Sequence, residues 1–493
     1  DLMHGDATTA GNSSNRYELA QLSYVYRVNY SYDNRHLIEL NGRYDGTSRF
    51  MKDQRWNFFP SFSLGWNVAR ENFWKPLESV VNQFKLRGSW GELGNQNTSN
   101  LYPFYEILPV KSNSGNWLVN GGKTNTADIP SLVSTLLTWE RVRSFNVGFD
   151  FSAFSNRLTG SFDYFVRKTV DMVGPAPQLP LVLGIAPAIV NNADMKSYGF
   201  EIELSWRDRI GEVDYGVKFN LADAQQKVVK YPNTTNAFND WYAGKMSGEI
   251  WGYTSLGIAK TDEEMKEHLA SLPNGGQNQL GNKWGAGDIM YADINGDGKV
   301  DGGKGTLADP GDQRIIGNST PRYNFGLVLD ASYKGFDVSI FFQGVGKRDY
   351  APIVGTNGAV FWGAVNNIWQ SMAMEEHFDY FRPEGHPMGA NLNGYYPRPD
   401  FTSNKNHQVQ TRYLQDASYI RLKNLQIGYT LPKQWINKLH INRCRVYVSG
   451  DNLWTGTSLA SMFDPETLAA GDWGSGKTYP LSKVISFGLN VNF

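Results

Sequence analysis

One stretch of this sequence has the spacing of a metal-ligand loop. Asp293, Asn295, Asp297, Gly298, Lys299 and Asp301 follow the first half of an EF-hand-type loop, with oxygen donors at alternate positions and a glycine for the sharp turn. The chemistry would be coordination of Ca2+ by hard oxygens. Position twelve of such a loop, where a bidentate acid belongs, is Lys304, so Asp309 or Asp312 supplies a late carboxylate only if the intervening GGKGTLADP segment folds back. A metal-free turn rich in Asx hydrogen bonds is the other reading. His377, His386 and His407 share one long loop without zinc-type spacing such as HExxH, and are expected to be solvated. The GGKG at 302–305 lacks the rest of a phosphate-binding loop and reads as a turn. With no GxSxG nucleophile elbow either, no enzymatic activity is expected.

A second group of candidates is aromatic. Asn116 and Trp117, Phe238 to Tyr242 (with Trp241), Phe361, Trp362, Asn366, Asn367, Trp369, Tyr395 and Tyr396 place flat rings beside amides in the longest connections. Such sets suit sugar rings or peptides, burying apolar faces while pairing polar edges. Trp117, Trp241, Tyr242, Trp362, Trp369, Tyr395 and Tyr396 are therefore candidate contacts to a substrate or a capping partner. The same residues serve equally to pack the loops on one another.

What must position these residues is a set of strands. The chain of 493 residues has 47 Lys+Arg against 48 Asp+Glu, a net charge of −1, so no basic field speaks for nucleic acid. No apolar run approaches the ~20 residues of a membrane helix. The single cysteine, Cys444, forms no internal disulfide and reads as an inert buried or lipid-facing thiol. No signal peptide opens the sequence, so either processing has removed one or the chain begins inside a longer precursor.

Period-two alternation recurs throughout. Between 22 and 32, Leu22, Tyr24, Tyr26, Val28, Tyr30 and Tyr32 alternate with Ser23, Val25, Arg27, Asn29 and Ser31. After a tight turn at Asp33 and Asn34, Ile38, Leu40 and Tyr44 oppose Glu39, Asn41, Arg43 and Asp45, which makes a hairpin. The pattern returns at 58–68, 84–92, 145–151, 158–166, 198–206, 213–221, 323–331, 336–344, 419–431, 444–450 and 485–493, or about 13 strands of a length suited to a tilted membrane strand. Short connections alternate with long ones at 95–138, 169–194, 223–322, 347–411 and 453–479, the layout of a bacterial outer-membrane barrel with short periplasmic turns and long extracellular loops. A soluble sandwich also alternates, but its inner face is mainly aliphatic, whereas these stripes are rich in Tyr, Trp and Phe as interfacial girdles require. The last strand ends on Phe493, like the C-terminal signal by which such barrels are inserted.

Several segments resemble the SusC-like branch of the TonB-dependent outer-membrane transporters of Bacteroidetes. They are 43–50 (RYDGTSRF) with 55–61 and Gly65–Trp66, 85–94 (KLRGSWGELG), 287–298 (GDIMYADINGDG), 314–317 (RIIG) and 419–432 (YIRLKNLQIGYTLP). Within them Arg43, Asp45 and Arg49 fall on or just beyond the polar side of a strand, where they pair with one another or a plug, or are solvated by the lumen. The resemblance implies an all-β antiparallel transmembrane barrel of about 22 strands, of which this chain holds about 13, without its plug domain. It also implies import of oligomeric nutrients, energy from TonB–ExbB–ExbD, and a SusD-like surface lipoprotein as lid. A siderophore or cobalamin importer of the same superfamily, or a secreted glycan-binding β protein, are the alternatives. Counting strands back from the C-terminal end starts the chain outside the cell, so an N-terminal fragment is expected to supply an odd number of further strands and the plug.

Overall fold

The computed structural model describes residues 16–98, 101–175, 187–352, 360–365, 373–401, 404–436, 441–468 and 478–492, with isolated positions between 180 and 185. Its main body is one antiparallel sheet of 13 strands in sequential order. They are β1 (Gln21–Tyr32), β2 (His36–Thr47), β3 (Trp56–Asn67), β4 (Val81–Asn95), β5 (Glu140–Ala153), β6 (Leu158–Gly174), β7 (Val190–Ile210), β8 (Val213–Lys230), β9 (Arg322–Tyr333), β10 (Phe336–Lys347), β11 (Tyr419–Thr430), β12 (Arg443–Thr457) and β13 (Val484–Asn492).

The alternation in sequence becomes two chemically distinct faces because paired residues point to the same side. One register row, Val28, Leu40, Phe62, Trp90, Phe145, Val166 and Tyr198, crosses seven strands and is apolar or aromatic at every position. The same face continues through Leu221, Phe325, Phe342, Val448 and Phe487 on later strands. It is left open to the surroundings: Tyr24, Phe58, Leu64, Val147 and Phe487 are all exposed. Cys444 lies on this face, opposite Val491, as a free thiol.

The other face carries ion pairs. Arg27 reaches Glu39 at 2.6 Å, and Arg43 reaches Asp45 at 3.0 Å, which for this last pair is pairing with one another, one of the roles open to it. Two arginines span an intervening strand. Arg87 on β4 holds Asp150 on β5 through two bonds of 2.9 Å and also Asp163 on β6 at 2.6 and 2.7 Å. It passes over Gly148, where a Cβ would lie 2.4 Å from the Phe162 carbonyl and 2.6 Å from Asp163 Oδ1. Likewise Arg445 on β12 crosses Gly428 on β11 to bind Asp337 on β10. Glycine is required at both places for close approach, not for its backbone freedom.

Short turns join β1–β2, β5–β6, β7–β8 and β9–β10, with Asp33, Asn34, Lys334 and Gly335 at positive φ as tight hairpins demand. The long connections, 96–139, 175–189, 231–321, 348–418 and 458–483, leave from the opposite end. Strands β6, β7 and β8 are 17, 21 and 18 residues long, well beyond the expected 158–166, 198–206 and 213–221. Their ladders continue past the apolar stretch because backbone pairing persists in water, where the side chains no longer alternate in polarity. β1 pairs only with β2 and β13 only with β12, so the sheet has two open edges among the described residues.

Candidate functional site

The long loops are not separate ribbons. Three of them, 231–321, 348–418 and 458–483, share one apolar core of Tyr253, Leu272, Ile289, Tyr291, Val300, Phe361, Trp362, Tyr396, Tyr413, Ala417, Leu459, Phe463 and Leu468. Short strands organise it: Glu249–Gly252 pairs with Arg314–Asn318, and Ser255–Ile258 with Ile289–Tyr291. Helix α1 (Asp262–Ala270) starts where the hydroxyl of the N-cap Thr261 accepts the Glu264 N–H, while the Glu264 carboxylate accepts the N–H of Lys260, one residue before the cap. Tyr253 and Val409 then join the first two loops through a backbone bond of 2.8 Å.

A buried ionic cluster fastens the same two loops. Asp288, fully buried, accepts Arg398 Nε at 2.8 Å and Asn406 Nδ2 at 2.9 Å on one oxygen, and Lys405 Nζ at 2.9 Å and the Gly285 N–H at 2.9 Å on the other. Lys405, 1% exposed, also donates to the Lys283 carbonyl and lies 5.1 Å over the Trp284 ring. In a low-dielectric site every one of these donors is needed to offset desolvation. At the third loop, Arg421 bonds Asp464 at 2.8 Å and Glu466 at 2.7 Å, and Lys423 bonds Glu466 at 2.7 Å.

The aromatic candidates divide. Trp362 (3% exposed) and Tyr396 (7%) are inside the core, with Tyr413 4.8 Å from the Trp362 ring, so the contact role expected of them is taken up by packing. Trp117, Trp241 and Tyr395 are exposed. Tyr242 donates to Glu249 at 2.6 Å, and burial together with that carboxylate pushes its phenol above the ordinary range. Trp369, Asn366, Asn367 and Phe493 lie outside the described residues. His407, expected in solvent, is instead buried against Trp362 at 4.6 Å with Nδ1 unpartnered. Burial lowers its pKa to about 4, with Asp400 pulling the other way.

At the oxygen-rich loop, Asp293 accepts the N–H groups of Gly296 at 2.7 Å and Gly298 at 2.8 Å, and Asn295 accepts that of Asp297. The following segment does fold back: buried Asp312 accepts the N–H groups of Ile294 and Asp301, and burial raises its pKa. Lys299 places its ammonium 2.5 Å from Asp301 and 3.9 Å from Asp297. Among the described residues no three acidic, histidine or cysteine side chains converge as a ready metal cage. As arranged, the carboxylates are satisfied by amides and one lysine. Sequence reasoning missed Asp288, although it lies in the quoted GDIMYADINGDG stretch, and it had no signal for Lys405 or Arg398.

A sheet with one apolar, aromatic-bordered face, one ion-paired face and all its long loops at one end is the wall of an outer-membrane β-barrel. Residues 3–453 match the family model "TonB dependent receptor-like, beta-barrel", and the chain belongs to that family. It is 30% identical to TonB-dependent receptor P3 of Formosa agariphila over 100% of this chain and 47% of the relative. To the TonB-dependent receptor SusC of Bacteroides thetaiotaomicron it is 24% identical over 96% of this chain and 44% of the relative. The fold superposes on the structure of the RagAB peptide transporter with a TM-score of 0.73 at 23% identity, covering 100% of this chain and 50% of that one. The chain thus spans about half the length of the curated relatives it matches.

Two measurements follow for the loop core. Asp288→Ala strands a buried ammonium and should destabilise the loop layer by about 3–5 kcal/mol, seen as faster proteolysis within 231–321 while the heat-modifiable barrel band is retained. His407 is neutral when folded, whereas in the unfolded chain it takes up a proton near pH 6.5. Its contribution is therefore complete above about pH 6.5 and falls by about 3 kcal/mol as pH drops to about 4. Tryptophan fluorescence against pH should show that loss, and His407→Leu should flatten it.

Proposed function

We propose that this chain is the barrel wall and loop layer of an outer-membrane active importer of oligomeric nutrients, oligosaccharides or peptides, energised by TonB–ExbB–ExbD and working with a SusD-like surface lipoprotein. The observation that carries the reading is the loop core: three long loops fused into one folded layer at the end of a TonB-dependent receptor barrel, with Trp241 and Tyr395 still exposed on it. Such a layer gives a lid a firm surface to sit on. The solved RagAB relative is a peptide transporter, which favours peptides among the oligomers.

In this reading the long-loop end faces outside. Further strands pair with β1 and β13, bringing the total to about 22 and sparing the edge backbone groups from lipid, where each would cost several kcal/mol. A plug occupies the ion-paired lumen. Purification from native membranes tests the whole: a lipoprotein and a bound oligomer should co-elute, whereas a small iron chelate with no lipoprotein would move the protein to the siderophore importers. Release into buffer without detergent would make it a secreted glycan binder.

Two expectations are specific to residues. Trp241→Ala and Tyr395→Ala should each weaken uptake or lid binding by about 1 kcal/mol, near fivefold; if neither changes, the aromatic surface is not the contact. A calcium ion at 293–301 is the second proposed element, with Asp293, Asn295, Asp297 and Asp301 as oxygen donors and Lys299 displaced from Asp301. Calcium should then raise the melting temperature of the loop layer and EDTA should reverse it. A flat titration leaves Lys299 as the cation of this turn.

A further inference from the structure

The outward face of β4 to β8 changes character between two adjacent register rows. Trp90, Phe145, Val166 and Tyr198 form the upper border of the apolar belt. One outward position nearer the long loops, the paired residues are Glu92, Arg143, Lys168, Lys196 and Lys227, with Arg141 one further outward position along β5. Three lysines thus stand directly opposite one another on neighbouring strands about 4.8 Å apart, an arrangement that destabilises a sheet by like-charge repulsion.

Among the described residues none of the neighbouring carboxylates forms an ion pair with the three lysines. Glu92, 5% exposed, is shared by Arg141 and Arg143. Asp194, the next outward residue of β7, has Oδ1 taken by the Asp171 N–H at 3.0 Å, and Asp223 on β8 is held by Arg322. Among the described residues no ion pair reaches Lys168, Lys196 or Lys227, and the Lys196 ammonium lies 5.2 Å over the Tyr198 ring. The row is short of anions.

Beneath it is an open notch. Gly88 sits in the belt between Leu64 and Val147, and a Cβ there would meet nothing nearer than the Asn146 carbonyl at 4.0 Å. Phe62, Leu64, Trp90 and Phe145 wall a groove of about 550 Å³ around it. The cations stand nearer the long loops than this slot and one to three strands to its side, Arg143 on β5, Lys168 on β6 and Lys196 on β7, a lateral reach of ~5–15 Å that one lipid with a phosphate head and hydrocarbon chains can span.

We propose that Arg143, Lys168 and Lys196 bind the phosphate of a phosphorylated lipid in the leaflet at the long-loop end, with one acyl chain in the Gly88 groove. Several cations at strand spacing match the several anionic oxygens of a phosphate group. The occupant relieves the lysine repulsion, and the Tyr198 and Trp90 rings sit at the level where a headgroup meets its chains. The proposal rests on the membrane reading of the outward face and not on import. Protease access to 103–130 in intact cells reports independently which leaflet the row meets.

The test uses the full-length protein in detergent, with dioleoyl phosphatidic acid and dioleoylglycerol as probes in native mass spectrometry. Phosphatidic acid adducts should exceed dioleoylglycerol adducts and should fall roughly tenfold in the Lys168→Ala, Lys196→Ala double variant. The Lys168→Arg, Lys196→Arg variant should keep them, and excess inorganic phosphate should leave them in place. Gly88→Leu should lower retention with the charges intact, its unchanged heat-modifiable migration showing a folded barrel. Equal retention by the double alanine variant, or equal binding of both probes, overturns the site. Loss of the adducts to free phosphate makes it an anion site instead of a lipid site, and replacement of the lipid by an acidic protein that co-elutes with the wild type overturns it equally.

Discussion

Everything in this fold depends on one requirement: a peptide group that faces hydrocarbon has no water to turn to, so each N–H and C=O must be handed to a neighbouring strand. Thirteen strands in sequential order meet it between the two outer edges, with local bulges such as those at Phe341/Phe342 and Leu422/Asn424. Once that ladder is imposed, side chains have only two directions, and the sequence can be hydrophobic on one and charged on the other without conflict. The apolar row from Val28 to Tyr198 and the Arg87 and Arg445 bridges on the opposite side are two outcomes of the same constraint.

Because the ladder is so demanding, it is legible. Alternation at 22–32 and 38–45 locates the first hairpin and its facing residues, and the register pairs Tyr24 with Tyr44, both on the apolar side. The ends of β6, β7 and β8 were not legible, since beyond the membrane the side chains stop alternating while the backbone goes on pairing. The loop layer was the least readable part. Asp288 and Lys405 are 117 positions apart, and no local pattern links a carboxylate to an amine at that distance. Aromatic residues were ambiguous for a different reason: Trp362 in a core and Trp241 at a surface come from segments of the same composition, and only the packing of Phe361, Tyr396 and Tyr413 around the first separates them.

The loop layer solves in water a problem the barrel does not have. Backbone pairing holds the wall together, but loops of this length need a core to resist their own conformational entropy. Aromatic side chains supply the burial, and the Asp288 cluster adds direction, since its donors fit in only one arrangement. Of the segments that mark the family, 287–298 and 314–317 lie in this layer, whereas 43–50, 55–61, 85–94 and 419–432 belong mainly to strands of the wall, the last reaching the third loop through Arg421 and Lys423.

The arginine bridges across Gly148 and Gly428 have a mechanical consequence. Each ties a strand to its second neighbour, Arg87 straight across Gly148 and Arg445 obliquely over Gly428. A sheet joined only by parallel rungs can slip along its strands; one braced at β4–β6 and β10–β12 resists that shear in two sectors and leaves the span between them more compliant. The span between the two ties, β7 to β9, holds the two longest strands and roots the largest loop, so the wall is tied on either side of the place from which that loop rises.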